Sequence, residues 1–281
     1  MTEMQLGLFG INMFEGADPA AMLRIAQHAE AAGFDSVWTG EHIVLPSPQA
    51  PPSPLPPEAP MIDSAVALSY VAAGTTSIRL GTGIIILPQR RPAVLAKSLA
   101  SLDHVSGGRL IFGLGVGYLE PEMSACSTPM ERRGERADEY LAAMRALWSA
   151  DAASFDGEFV SFTSVSANPK PAQSALHTVV GGHSERASRR AVELAHGWYG
   201  FMRDIDTTAA DLVQLAAAEA EHGRPAGLGR LEISITPKRR PSADDLVAYA
   251  ELGVDRLILQ PGSKRTEAEV RDYIESFADA R

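Results

Sequence analysis

Short apolar runs alternate with amphipathic stretches along the whole chain, and this rhythm constrains the fold more than any other feature. Runs that read as strands occupy residues 4–9, 35–38, 79–87, 110–116, 178–180, 197–201, 231–235 and 256–259. Apolar residues at helical spacing place helices over 20–32, 63–75, 92–105, 131–148, 185–195, 208–221, 243–252 and 267–278. In the first of these, Leu23, Ala26, Ala29 and Ala32 share a face, Gly33 ends the helix, and Asp18 followed by Pro19 forms its start. The run 79–87 is almost continuously apolar, as expected of a strand buried on both faces. An irregular stretch around 155–162 is compatible with a hairpin. Strands that alternate with helices pair in parallel, because the helix makes the crossover. Eight such units in 281 residues predict a closed (β/α)8 TIM barrel, a fold that takes roughly 250 residues. The expected class is therefore α/β, with 1–281 forming one domain.

One segment interrupts the rhythm. Residues 46–60 hold prolines at 46, 48, 51, 52, 54, 56, 57 and 60, which neither a helix nor a central strand accommodates. The pattern resumes beyond them without a change of composition, so they read as a loop inserted after the second strand rather than as a domain linker. Cys126 is the lone cysteine, which leaves no intramolecular disulfide and makes the cytoplasm the expected location. The chain's start lacks the charged-then-apolar plan of a signal peptide, and no run is long enough to span a membrane. A net charge of −10 argues against general nucleic-acid binding. The expected partner is a small molecule, with no nucleic acid and no membrane.

In barrels of this kind chemistry sits where strands end and helices begin. Val180-Gly181-Gly182-His183-Ser184 runs from a strand through a glycine pair into a helix start. Backbone N–H groups there could seat a phosphate, with Ser184 either donating or simply capping the helix. Gly81 and Gly83 inside the third strand mark a bulge or a close approach to a ligand, or else local packing relief. His42, beside Glu41 at the end of the second strand, could shuttle a proton or be a structural histidine of the rim. Gly113-Leu114-Gly115-Val116-Gly117 does not complete a dinucleotide fingerprint or open a helix. No HxH, HExxH or GxSxG occurs, so metal hydrolase and esterase chemistry lack support. Lys238, Arg239 and Arg240 follow the seventh strand and could meet an anion or be solvated; the pairs Arg132-Arg133 and Arg189-Arg190 read as helix surface.

Taken in order, these motifs resemble the bacterial luciferase-like flavin-dependent oxidoreductases. The stretches concerned are 38–42, 80–88, Arg91-Pro92, 99–103, Ser106 to Arg109, 113–117, 180–184 and Gly197-Trp198, covering nearly the whole chain. Within that superfamily the chain looks most similar to the branch using the deazaflavin coenzyme F420, with FMN as the alternative. The resemblance implies a cofactor ring over the barrel mouth and a cis peptide between Gly83 and Ile84. It implies cofactor contacts from Glu41, His42, Gly83, Ile84, Ile86, Val116, Gly117, Gly181, Gly182, His183 and Ser184, with phosphate on the last four. His42 is the catalytic residue it implies, and a homodimer the assembly. The chemistry implied is hydride transfer between F420 and a small organic substrate. The alternatives are an FMN monooxygenase using oxygen, or a barrel that only binds a ligand. Tyr118 stands where some deazaflavin-dependent sugar-phosphate dehydrogenases carry a catalytic glutamate, which argues against that activity.

Overall fold

The structure is a computed structural model and describes residues 4–262 and 265–278. Its strands and helices follow the alternating pattern. The chain runs through β1 (Gln5–Phe9), α1 (Pro19–Ala31), β2 (Ser36–Thr39), α2 (Ser64–Gly74), β3 (Arg79–Thr82), β4 (Ile85–Ile86) and α3 (Pro92–Val105). It continues through β5 (Leu110–Gly115), α4 (Glu120–Ala125), α5 (Arg133–Ser149), β6 (Ala153–Asp156) and β7 (Ser161–Val165). The last third holds β8 (Thr178–Gly181), α6 (Glu185–Leu194), β9 (Gly197–Arg203) and α7 (Ile205–His222). It then adds β10 (Glu232–Pro237), α8 (Ala243–Glu251), β11 (Arg256–Leu259) and α9 (Glu267–Ala278).

The parallel strands lie in the order β3-β2-β1-β11-β10-β9-β8-β5-β4, and β3 also pairs with β5. That last pairing closes the sheet. Counting β3 and β4 as two halves of one strand, the result is an eight-stranded parallel α/β barrel ringed by helices. β6 and β7 form the antiparallel hairpin, outside the barrel sheet.

Local chemistry explains where the elements begin. Asp18 accepts a hydrogen bond from the Ala21 amide at 2.8 Å, with Pro19 at the first helical position, so α1 starts where the sequence predicts. α7 starts earlier than the apolar pattern suggests. Asp204 and Thr207 form a reciprocal capping box that draws Ile205 to Thr207 into the helix.

The expected third strand, 79–87, is divided. The Gly83–Ile84 peptide is cis, as the resemblance implied, and β3 ends just before it. Thr82 Oγ1 donates to the Gly113 carbonyl and accepts from its amide, both at 2.8 Å, so a side chain replaces the backbone ladder at this point. The other departure is α4, a short helix in a stretch to which the sequence pattern assigned no element.

Apolar packing falls into two groups. The larger lies between strands and helices and includes Leu8, Ile25, Leu68, Leu99, Leu141, Val192 and Ile274. The smaller includes Phe9, Trp38, Ile111, Val179, Tyr199 and Ile258, contributed by different barrel strands, with Met13. Leu55 of the proline-rich loop and Met61 pack against this second group, so the loop folds back over it. Residues 46–60 form neither helix nor strand.

Candidate active site

The ends of β2, β3/β4, β5 and β8 are neighbours in the barrel and hold the residues singled out above. Immediately after β2, Glu41 and His42 send their side chains to different partners. The Glu41 carboxylate is buried and accepts from Arg90 Nε at 3.0 Å and from the Ile86 amide at 3.1 Å, with a further contact to Arg90 Nη2. Burial pushes the Glu41 carboxyl up to about 7, and the Arg90 guanidinium opposes that rise. Arg90 also reaches Asp63 at 3.0 Å. Glu41 and Ile86, expected separately at the cofactor, are thus brought together by their own hydrogen bond.

His42 turns toward α4. Its Nδ1 lies 2.9 Å from Glu122 Oε2, and its side chain is 10% exposed. The other oxygen of Glu122 accepts from the Ile43 amide at 2.5 Å. The His42 amide itself faces the Met61 sulfur at 3.1 Å, which ties the segment to the far end of the proline-rich loop. Tyr118 packs edge-on against the imidazole, with centroids 6.2 Å apart. Burial, with Glu122 adding to it, raises the Tyr118 phenol above its ordinary range. Sequence reasoning noted Glu122 only as lying close to Tyr118 and gave it no role in the site. The signal was present but weak: Pro121 and two acidic residues in one turn mark a helix start.

Ile84 sits at the centre of this rim. A side chain at Gly115 would meet its Cδ1 at 2.0 Å, one at Gly181 would meet it at 2.8 Å, and one at Gly113 would meet its Cγ2 at 3.1 Å. Glycine on β5 and on β8 beyond it therefore leaves space for the Ile84 side chain to reach across these strand ends. Gly83 donates its amide to the Thr39 carbonyl. Gly117 adopts φ 79° where a Cβ would strike Ile86 and Met123, and its carbonyl accepts from Arg133 at 3.0 Å. Val116 is half-buried against the main core.

After β8 the chain turns through Gly182, at φ 125°, into α6. Ser184 caps that helix by accepting from Ala187 at 3.2 Å. The Gly182 carbonyl accepts from Trp198 Nε1 at 2.8 Å, and the His183 ring stands edge-on to the same indole. Burial, then Arg203, lowers the His183 imidazole below its ordinary range. The amides of Gly182, His183 and Ser184 donate to no backbone or side-chain acceptor among the described residues. Three free donors at a helix start, approached through glycine, suit an anionic group.

Other basic residues have partners elsewhere. Arg190, read from sequence as helix surface, is buried and paired with Asp138. Arg239 pairs with Asp245 at 2.9 Å, Lys238 lies 3.9 Å from Asp204, and Arg240 covers the rings of Tyr273 and Phe277. Of the eighth strand end, 260–264, residues 263 and 264 lie outside the described residues.

The family model for luciferase-like monooxygenases matches residues 4–279. The chain belongs to that family. An uncharacterized protein of Mycobacterium tuberculosis is 33% identical over 286 residues, covering 98% of each chain. Among solved structures, the monooxygenase RslO1 from Streptomyces bottropensis superposes with a TM-score of 0.80 at 21% identity, over 99% of this chain and 98% of that one. An F420-dependent secondary alcohol dehydrogenase, solved with an F420-acetone adduct, gives 0.78 at 16% identity, over 100% and 98%. At such identities the two structures speak for the shared fold. No helix among the described residues is long and apolar enough to cross a membrane.

Proposed function

We propose that this barrel is a single-domain oxidoreductase that transfers a hydride between coenzyme F420 and a small organic substrate. One arrangement supports the reading most. His42, held by Glu122, and the three free amides of Gly182 to Ser184 flank the Ile84 surface from opposite sides. The residues present fit the cofactor. The Gly182 turn suits an anionic group, because at φ 125° it takes a backbone that L side chains rarely adopt and leads directly into the start of α6, and the Ile84 side chain, lying over glycines, offers an apolar surface.

The Gly182–Ser184 amides would hold the phosphate, Ile84 would support the ring, and His42 would hold or release a proton at Nε2. When bound, the deazaflavin supplies the hydride donor or acceptor at its C5; the protein contributes placement and electrostatics. The proline-rich loop, seated on the axial apolar group through Leu55, would shape the substrate side.

Fluorescence titration with F420, and with FMN in parallel, tests this. Selective F420 binding is expected. Gly182→Ala should weaken it by on the order of tenfold, since the backbone there is one L residues rarely adopt. Selective FMN binding with oxygen consumption would replace this reading by a monooxygenase, and no binding of either would overturn both.

A further inference from the structure

We infer that Glu122 is a positioning residue: it fixes His42 as the tautomer protonated on Nδ1 and leaves Nε2 bare at the barrel mouth. The inference rests on the role of His42 proposed above. An imidazole on a loop can rotate about two side-chain bonds and carry its proton on either nitrogen. Here both freedoms are removed by one carboxylate. Glu122 is 0% exposed, and its two oxygens meet two nitrogens from successive residues, His42 Nδ1 and the Ile43 amide. A carboxylate accepts and does not donate, so the proton between Glu122 and His42 sits on Nδ1. The bond to the Ile43 amide then sets the backbone from which the ring projects. Tyr118 packs at 86° to the imidazole and limits its tilt.

His42 Nε2 makes no hydrogen bond among the described residues, yet it is not sealed from solvent. It is the ring atom left available to a ligand. Taking a carboxylate out of water is unfavourable unless its oxygens are bonded. The His42 imidazole is the titratable partner that Glu122 has among the described ion pairs. The two groups therefore form a unit in which the buried member orients the accessible one. This links an element that looks structural, the short helix α4, to the chemistry at the end of β2.

The experiment is nitrogen NMR of the protein labelled in histidine, with His42 assigned by the signals lost in His42→Ala. In the unmodified protein above neutral pH, His42 should show a protonated Nδ1 and an unprotonated Nε2. Glu122→Gln can offer either amide atom to the ring, so the fixed tautomer should be lost; Glu122→Asp keeps a carboxylate and should restore it in part. With cofactor present, Glu122→Gln should lower kcat by on the order of a hundredfold, with cofactor affinity within twofold, and Glu122→Asp should recover part of the loss. A protonated Nε2 in the unmodified protein overturns the inference without any variant. So does a Gln variant that folds and keeps the same tautomer. Failure to bind any cofactor would instead sink the functional reading, and the tautomer result would stand by itself.

Discussion

At the residue scale, the site depends on side chains that are absent as much as on those present. Gly115 and Gly181 carry no Cβ, and the Ile84 side chain occupies the space a Cβ would take. Gly115→Ala would put a methyl 2.0 Å from Ile84 Cδ1, so Ile84 or the strand must shift. Overpacking of this kind costs about 1–3 kcal/mol. Ile84→Val removes Cδ1 and leaves the next nearest atom, Cγ1, at 3.3 Å. The double variant should therefore recover much of the stability that Gly115→Ala loses. Urea melts of the four proteins in a double-mutant cycle measure this; additive losses would show that Ile84 is not what fills the space.

At the element scale, the chain announces its regular parts and hides its exceptions. Strand and helix order were legible because burial on both faces gives continuous apolar runs, and helices show their own period. The break at Gly83–Ile84 is not visible in hydropathy, since the run stays apolar through it; the two glycines marked an irregularity in the strand, and the resemblance placed the cis bond. α4 is too short to establish a period, and the burial of Glu122 depends on what packs over it. Likewise Ser184 showed both a cap and an anion site in sequence, and the structure confirms the cap while leaving the amides free.

Connections between elements carry a prediction too. Glu30 at the end of α1 accepts from the amides of Thr76, Ser77 and Ile78, tying that helix to the turn before β3. Burial alone would raise its carboxyl, but these amides hold it down at about 2, against an ordinary 4.5. A depressed folded value means stability that is present above about 4.5 and lost as pH falls toward 2. Glu30→Gln should cost about 1–2 kcal/mol near pH 7, allowing for partial exposure. The gap between the two proteins should close between pH 4.5 and 2 in denaturant melts. A gap independent of pH would mean that the charge on Glu30 contributes nothing.

At the scale of the whole molecule, the two ends of the barrel do different work. Strands begin at one end, where Arg256 is 0% exposed and bonds Asp35 before β2, Gln5 in β1, and Glu232 and Ser234 in β10. This one guanidinium links the start of β11 to β1, to β10 and to the residue before β2, and so fixes their relative registers where the first and last strands of the chain meet. Strands finish at the other end, where His42, Ile84 and the Gly182–Ser184 turn lie. Conserving closure and conducting chemistry can therefore be separated by mutation. Arg256→Ala leaves Asp35 and Glu232 without their shared buried partner, and breaking such a cluster costs about 3–5 kcal/mol. The variant should melt at markedly lower denaturant, yet the fraction still folded should bind the cofactor with unchanged affinity. His42→Ala should shift the balance the other way, with altered turnover and a smaller loss of stability than Arg256→Ala, since the Ile43 amide still holds one oxygen of Glu122 when the imidazole is gone. Parallel denaturant melts and cofactor titrations of both variants decide the matter. If Arg256→Ala weakens binding in protein that is demonstrably folded, the strand starts and the strand ends are mechanically coupled through the barrel. The mouth would then depend on closure at the opposite end, and the apolar axial group from Phe9 to Ile258 would be the physical connection between them.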